Sequence, residues 1–220
     1  MPEQIDSVDL SQQLKKPTGE LGIAVPGQLN SANKGLYDLA FEMLDLKAGE
    51  QVLEIGFGNG KHFPRFFEAE LEIFLTGIDF SEDMCVEARK NNPYLIEEDK
   101  LTVHCVDSSS TSLPDQSFDW IVALNVIYFW EPPEKYLNEI QRLLKPGGKL
   151  LLGYHPRHSM EDQDFTKQNF TLYEPEELNY VLKENDFIKI QEKINKTKQT
   201  FVDGTEFESV DICEIFIANT

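Results

Sequence analysis

Residues 51–63 read QVLEIGFGNGKHF, and this stretch decides the fold. Val52, Leu53 and Ile55 suit a buried strand, and Gly56, Gly58 and Gly60 then follow at every second position. Glycine loses more conformational freedom on folding than any other residue. A cluster of them directly after a strand therefore means that the backbone turns through φ > 0 or passes close to something. Strand, glycine-rich turn and helix N-terminus together make an anion- or nucleotide-binding device in doubly wound folds. A phosphate loop of the GxxxxGK[ST] type is excluded, because Lys61 follows Gly60 without the required spacing or hydroxyl. A dinucleotide fingerprint needs GxGxxG, and the pattern here is GxGxG.

Working outward, strands and helices alternate. A helix from Ser31 carries Leu36, Leu39, Ala40, Met43 and Leu44 at helical spacing, up to a turn at Lys47-Ala48-Gly49. After the glycine loop come a helix over 60–68, a strand at 74–79 (FLTGID) and a helix over 82–91. Ser81 caps that helix, with Glu82 and Asp83 in its first turn. LTVHCV and DWIVALNV are further strands, then a helix spans Pro133–Leu144, and KLLLGY is the fifth strand. These short, continuous apolar runs are those of a parallel sheet covered on both faces. Residues 155–172 read as irregular, Pro175 opens a helix to about Glu184, and a long β region follows. Asp203-Gly204 is a two-residue hairpin signal. Counting outward from it sets Ile194 opposite Cys213 and Ile190 opposite Ile217. The expected architecture is α/β: a doubly wound, seven-stranded, mostly parallel sheet ending in a C-terminal antiparallel hairpin. Residues 1–30, rich in Pro and Gly, read as an irregular arm or lid, and residues 31–220 as one domain.

Composition narrows the function. The chain has 220 residues, 40% of them hydrophobic, enough for one sizeable core. Its formal net charge is −19, which repels phosphate backbones and anionic headgroups, so neither nucleic acid nor a membrane surface is expected as partner. Cys85, Cys105 and Cys213 are too few and too scattered for a disulfide framework or zinc site, and no metal is expected. Cys105 and Cys213 sit in apolar runs and read as core thiols. The N-terminal residues lack the charged and apolar regions of a leader, and no long apolar run exists, so a cytoplasmic protein is expected.

The spacing E-I-G-F-G-N-G at 54–60 resembles the cofactor loop of class I S-adenosylmethionine (SAM)-dependent methyltransferases. The resemblance continues in order through GIDFSEDMCVEAR, CVDSSSTSLPDQSFDWIVALNVIYFW and LLKPGGKLLLGY, covering roughly residues 50–154. The arm LKKPTGELGIAVPGQLNSANKGLY loosely resembles N-terminal segments of uncharacterised and quinone- or lipid-methylating members, and the whole is similar to the small-molecule, quinone-methyltransferase-like branch. The resemblance implies SAM as cofactor and a loop of Glu54, Gly56, Phe57, Gly58, Asn59 and Gly60 beneath its methionine part, with Glu54 toward the ammonium. It implies Asp79 on both ribose hydroxyls, Phe80 and Met84 against adenine, Asp107 and Ser108 facing that base, and Asn125 near the reacting centre. A carboxylate suits vicinal hydroxyls because it accepts from both at once. Methyl transfer to a small-molecule acceptor is the implied activity. An NAD(P)-dependent oxidoreductase, which requires a parallel last strand, and a SAM-binding protein without turnover are the alternatives.

Tyr128, Tyr154, His155 and His158 follow strands four and five, the edge at which doubly wound sheets bind ligands. Among these, His155 is the candidate base and Tyr128 the candidate lining residue of the catalytic centre. Asn91-Asn92-Pro93-Tyr94 resembles the tetrad of amino-methyltransferases acting on nucleic acid, but it ends a helix before strand three instead of following strand four. His62 reads as a surface or cap residue and His104 as an interior one.

Overall fold

The computed structural model describes residues 6–20, 22, 33–200 and 206–219. Its seven strands are β1 (Gln51–Ile55), β2 (Phe74–Asp79), β3 (Leu101–Cys105), β4 (Phe118–Leu124), β5 (Leu144–Tyr154), β6 (Phe187–Thr200) and β7 (Glu206–Ala218). They form one sheet in the order β3-β2-β1-β4-β5-β7-β6. All adjacent pairs from β3 to β5 are parallel, and β7 pairs antiparallel with both β5 and β6. The antiparallel β7 removes the dinucleotide reading, which requires a parallel strand there.

Helices cover both faces: α1 (Ser7–Lys15), α2 (Lys34–Met43), α3 (Phe63–Ala69), α4 (Glu82–Asn91), α5 (Pro93–Glu97), α6 (Pro133–Leu143), α7 (Arg157–Met160) and α8 (Pro175–Glu184). Side chains on a strand alternate between faces. Val52, Val122 and Leu151 accordingly pack among Leu36, Met43, Phe63 and Phe66, while Leu53, Ile121, Leu150 and Leu152 pack among Leu137, Ile140, Leu178 and Leu182. Local signals agree with these elements. Ser81 accepts from Met84 N at 3.3 Å at the start of α4. Pro133 and Pro175 open α6 and α8, where a missing N–H costs nothing.

Five expectations change. The arm contains α1, whose cap Asp6 accepts from Asp9 N at 2.8 Å; its side chains are too polar to show as an apolar stripe. Residues 155–172 hold α7 and a 3₁₀ turn over Asp164–Lys167. Ile194 pairs with Ile212 rather than Cys213, and Ile217 with Ile188 rather than Ile190. The pairing is seen from Thr200↔Glu206 onward, and a register shift falls between Lys189 and Gln191. A one-residue slip turns side chains to the other face, and Ile188, Ile190 and Ile194 are about half exposed. Cys105, at the end of β3, is exposed, while Cys85 and Cys213 are buried. The helix after the glycine loop starts at Phe63, three residues later than expected. Ser31 and the Asp203-Gly204 signal lie outside the described residues.

Leu151 is fully buried between β4 and β7. Leu151→Ala should cost about 2–5 kcal/mol, the scale for an aliphatic core truncation. Leu71→Ala, at a site 70% exposed, should stay within about 0.5 kcal/mol. Urea unfolding of both variants checks this, with the m-value expected unchanged.

Candidate active site

A cavity of about 630 Å³ opens at the C-terminal ends of β1, β2, β4 and β5. That is within the range of small-molecule sites. Its floor is the glycine loop. Gly56, Gly58 and Gly60 all take positive φ, at 72°, 58° and 64°. A Cβ at Gly56 would strike Val126 Cγ1 at 2.2 Å, so this glycine makes room for the β4 loop while also lining the cavity. A Cβ at Gly58 would meet nothing within 4 Å. Gly58 is where the backbone itself faces open space. The loop is held from behind by Asn91 Nδ2 on the Asn59 carbonyl and by buried Asn92 Nδ2 on the Gly60 carbonyl, both at 2.9 Å. These two members of the discounted tetrad brace the loop.

Asp79 ends β2 and is almost fully buried. Its Oδ2 accepts from Gly58 N at 3.0 Å and its Oδ1 from Ser81 N at 2.9 Å. Each oxygen keeps a lone pair for a further donor. Burial pushes this carboxyl up to about 6, against the pull of its backbone N–H bonds. Phe80, Asp107 and Ser108 line the same end of the cavity, with Lys16 Nζ 5.3 Å from the Phe80 ring centroid. Phe57 and Asn59 line the cavity too, although the Phe57 ring packs inward on Phe63, 5.2 Å between centroids. Met84 is fully buried, and neither it nor Gly60 is in the wall.

Glu54 lies behind the wall. Its Oε1 sits 2.6 Å from His62 Nε2, and its Oε2 is buried with no hydrogen-bond partner. His62, expected at the surface, is 10% exposed, and its ring lies 4.4 Å from that of Tyr37. Burial, then the Glu54 charge, raises the Tyr37 hydroxyl well above its ordinary value. Sequence spacing pointed to neither residue, because α2 brings Tyr37 to the loop from outside the matched motifs. The orphaned Glu54 oxygen behind the wall, with Asp79, Asp107 and Glu131 in it, favours a cationic ligand. Lys15 is the one lysine or arginine among the described residues lining it. Together with the free lone pairs of Asp79 and the open side of Gly58, these features fit a vicinal diol carrying positive charge, as SAM does.

The opposite end is aromatic. Tyr128, Phe129, Phe165 and Phe170 form a ring cluster with centroids 4.7–6.1 Å apart. Asn125, at φ 57°, and His155 line the cavity beside them. The Tyr128 hydroxyl accepts from His155 N at 2.6 Å and lies 3.3 Å from Asn125 Oδ1, so it ties β4 to β5. Burial raises its pKa, which keeps it neutral. Tyr154 points away, to Glu214 Oε2 at 3.2 Å, and His158 pairs with Glu174 at 2.9 Å; neither lines the cavity. The roof is α1 and the turn after it, through Gln13, Leu14, Lys15 and Pro17. Ser11 Oγ donates to the Gln168 carbonyl at 2.6 Å, and Ser81 Oγ to the Pro17 carbonyl at 2.5 Å.

Residues 53–152 match the methyltransferase domain family. The 27-O-demethylrifamycin SV methyltransferase of Amycolatopsis mediterranei is 33% identical over 57% of this chain and 46% of its own. A phosphatidylethanolamine N-methyltransferase of Cereibacter sphaeroides is 30% identical, over 49% and 51% respectively. A tRNA U34 carboxymethyltransferase of Idiomarina loihiensis is 31% identical, over 50% and 34%. The chain thus spans about half, or less, of these relatives' length. In fold, it is similar to a chain from the Haloferax volcanii complex of the Trm112 methyltransferase activator with a methyltransferase. The TM-score is 0.73 at 15% identity, covering 88% of this chain and 93% of that one. With the strand order, the glycine loop and the Asp79 carboxylate already in place, residues 53–152, a little under half of the chain, are similar to a methyltransferase domain.

Proposed function

We propose that this protein transfers the methyl group of SAM to a small, largely apolar acceptor. The observation that carries this reading is a single cavity with two chemically different ends, one built of glycine backbone and carboxylates, the other of aromatic rings. When bound, SAM supplies an electrophilic methyl on a positively charged sulfur. Asp79 would hold the ribose hydroxyls, Gly58 would admit the cofactor to close backbone contact, and Asp107 and Ser108 would border the adenine. The aromatic end would hold the acceptor, and the roof would keep water out. Much of the rate would come from fixing two reactants in one orientation. The relatives named above act, according to their names, on 27-O-demethylrifamycin SV, on phosphatidylethanolamine and on U34 of tRNA. The net charge of −19 and the apolar wall favour an uncharged small molecule over nucleic acid here. Labelled-methyl turnover of SAM against a library of uncharged aromatic and aliphatic metabolites tests the proposal. Methyl transfer confined to tRNA or to phospholipid would overturn the choice of acceptor.

Two further outcomes are expected. Because burial raises Asp79 from 3.8 to about 6, the free fold gains stability from it as pH falls through that window. Binding of hydroxyl donors favours the ionised form and runs the other way. Affinity for S-adenosylhomocysteine should therefore weaken as pH drops from 7.5 to 5, approaching about tenfold per unit below the carboxyl's pKa. Asp79→Asn should weaken binding by about 1.5–3 kcal/mol at pH 7.5 and flatten the profile, as calorimetry would read. Since few and mostly polar contacts hold the roof, amide exchange in α1 should be fast in the free protein. It should slow with bound S-adenosylhomocysteine; equal exchange in both states would count against a lid.

A further inference from the structure

His155 is not a free wall residue. Its Nδ1 lies 3.0 Å from the Val210 carbonyl and 3.3 Å from Asp211 Oδ1, both on β7. Among the described residues, its Nε2 has no hydrogen-bond partner. Asp211 is almost fully buried, and its second oxygen is fixed independently of the histidine. Asn195 Nδ2, on β6, donates to Oδ2 at 3.3 Å. Gly35, in the first turn of α2, leaves room for that same oxygen, since a Cβ there would lie 2.5 Å from it. The N-terminal end of a helix favours a negative charge beside it. The carboxylate is therefore seated by β6 and α2 before it meets His155. Also close to the pair are the buried, neutral Tyr128 hydroxyl, bonded to the His155 backbone, Ser209 of β7 in the cavity wall, and the buried Cys213 thiol, which feels the Asp211 charge.

We propose that Asp211 is a positioning residue for His155: with the Val210 carbonyl it holds the proton on Nδ1, so that Nε2 faces the cavity as a base for a hydroxyl-bearing acceptor. The inference rests on the methyl-transfer reading and deepens it, because it names the kind of nucleophile the site serves. In the step, the acceptor hydroxyl gives its proton to Nε2 while its oxygen forms the bond to the methyl carbon. The sulfur–carbon bond breaks, and its electron pair stays on sulfur. The imidazolium formed lies against Asp211, which offsets its charge. An acceptor that carries no proton on its nucleophile, such as a tertiary amine, would have no use for this arrangement.

The test does not require the natural acceptor. Long-range ¹H–¹⁵N spectra of histidine-labelled protein, with His155 assigned through His155→Gln, report which ring nitrogen carries the proton. The wild type with S-adenosylhomocysteine should show Nδ1–H and a bare Nε2 for His155. In Asp211→Asn, the amide oxygen should stay with Asn195, as Oδ2 does now, and turn its NH₂ toward His155 Nδ1. The proton should then move to Nε2. Modification of His155 by diethyl pyrocarbonate, which needs the Nε2 lone pair, should fall about tenfold. Asp211→Ser, which leaves Val210 alone to hold the ring, should give a mixture of both tautomers and serves if the asparagine variant does not fold. A wild-type Nε2–H tautomer, or an unchanged Nδ1–H tautomer in either folded variant, would overturn the proposal. Failure of the wild type to bind S-adenosylhomocysteine would instead sink the methyl-transfer reading, which calorimetry reports separately.

Discussion

The bonds from Gly58 N and Ser81 N to the two oxygens of Asp79 are the constraint on which the site depends. They join the loop after β1 to the end of β2, so the two parallel strands deliver their C-terminal ends to one place. The arrangement is costly for the free protein, since a carboxylate is taken out of water and receives only backbone donors. That cost is visible in the raised pKa of Asp79. A ligand carrying hydroxyl donors and positive charge offsets it, which makes the strained end of the cavity the selective one.

The order of the sheet serves the same end. β1 and β4 lie side by side at the centre, and the cavity sits above the point where the chain crosses from β3, at one edge, back to β4. Ligands in doubly wound sheets bind at such crossings because the loops diverge there and leave a crevice. The aromatic end is reached from β4, β5 and the 157–170 segment, none of which contributes to the glycine loop. In the proposed reading, cofactor and acceptor would therefore meet in one volume but be recognised by separate parts of the chain.

Much of this was legible in the sequence. The strands from Val52 to Tyr154 are continuous apolar runs, and the glycines and Asp79 have few other uses in that order. The rest was hidden for physical reasons. His62 carries no mark that separates an exposed histidine from one buried against Glu54, because the partner lies eight residues back across a turn. Met84 and Phe80 have the same apolar character, yet α4 turns one into the core and leaves the other at the cavity. Asp211 is one of four acids on β7, with Glu206, Glu208 and Glu214, so nothing in the strand marks it out, and its neighbours come from the residue after β5, from β6 and from α2. The hairpin register counted from Asp203-Gly204 is off by one residue at Ile194 and by two at Ile217, since the count could not foresee the shift between Lys189 and Gln191.

β6 and β7 are 14 and 13 residues long, more than twice the length of β1 and β2 in the parallel part of the sheet. β5 pairs with β7 only from Ile212 to Ile217, while the pairing of β6 with β7 runs on to Thr200 and Glu206. Six residues of β7 thus continue past the sheet as a two-stranded ribbon, an overhang of about 20 Å at the rise of an extended strand. Ser209, at the root of this overhang, is already part of the cavity wall. The ribbon makes a parapet on one side of the opening, with Val210 and Asp211 at its base still buried. Lengthening or trimming it two residues at a time preserves the alternation of faces, so the height of that side can change while the glycine loop, Asp79 and the packing beneath them stay as they are.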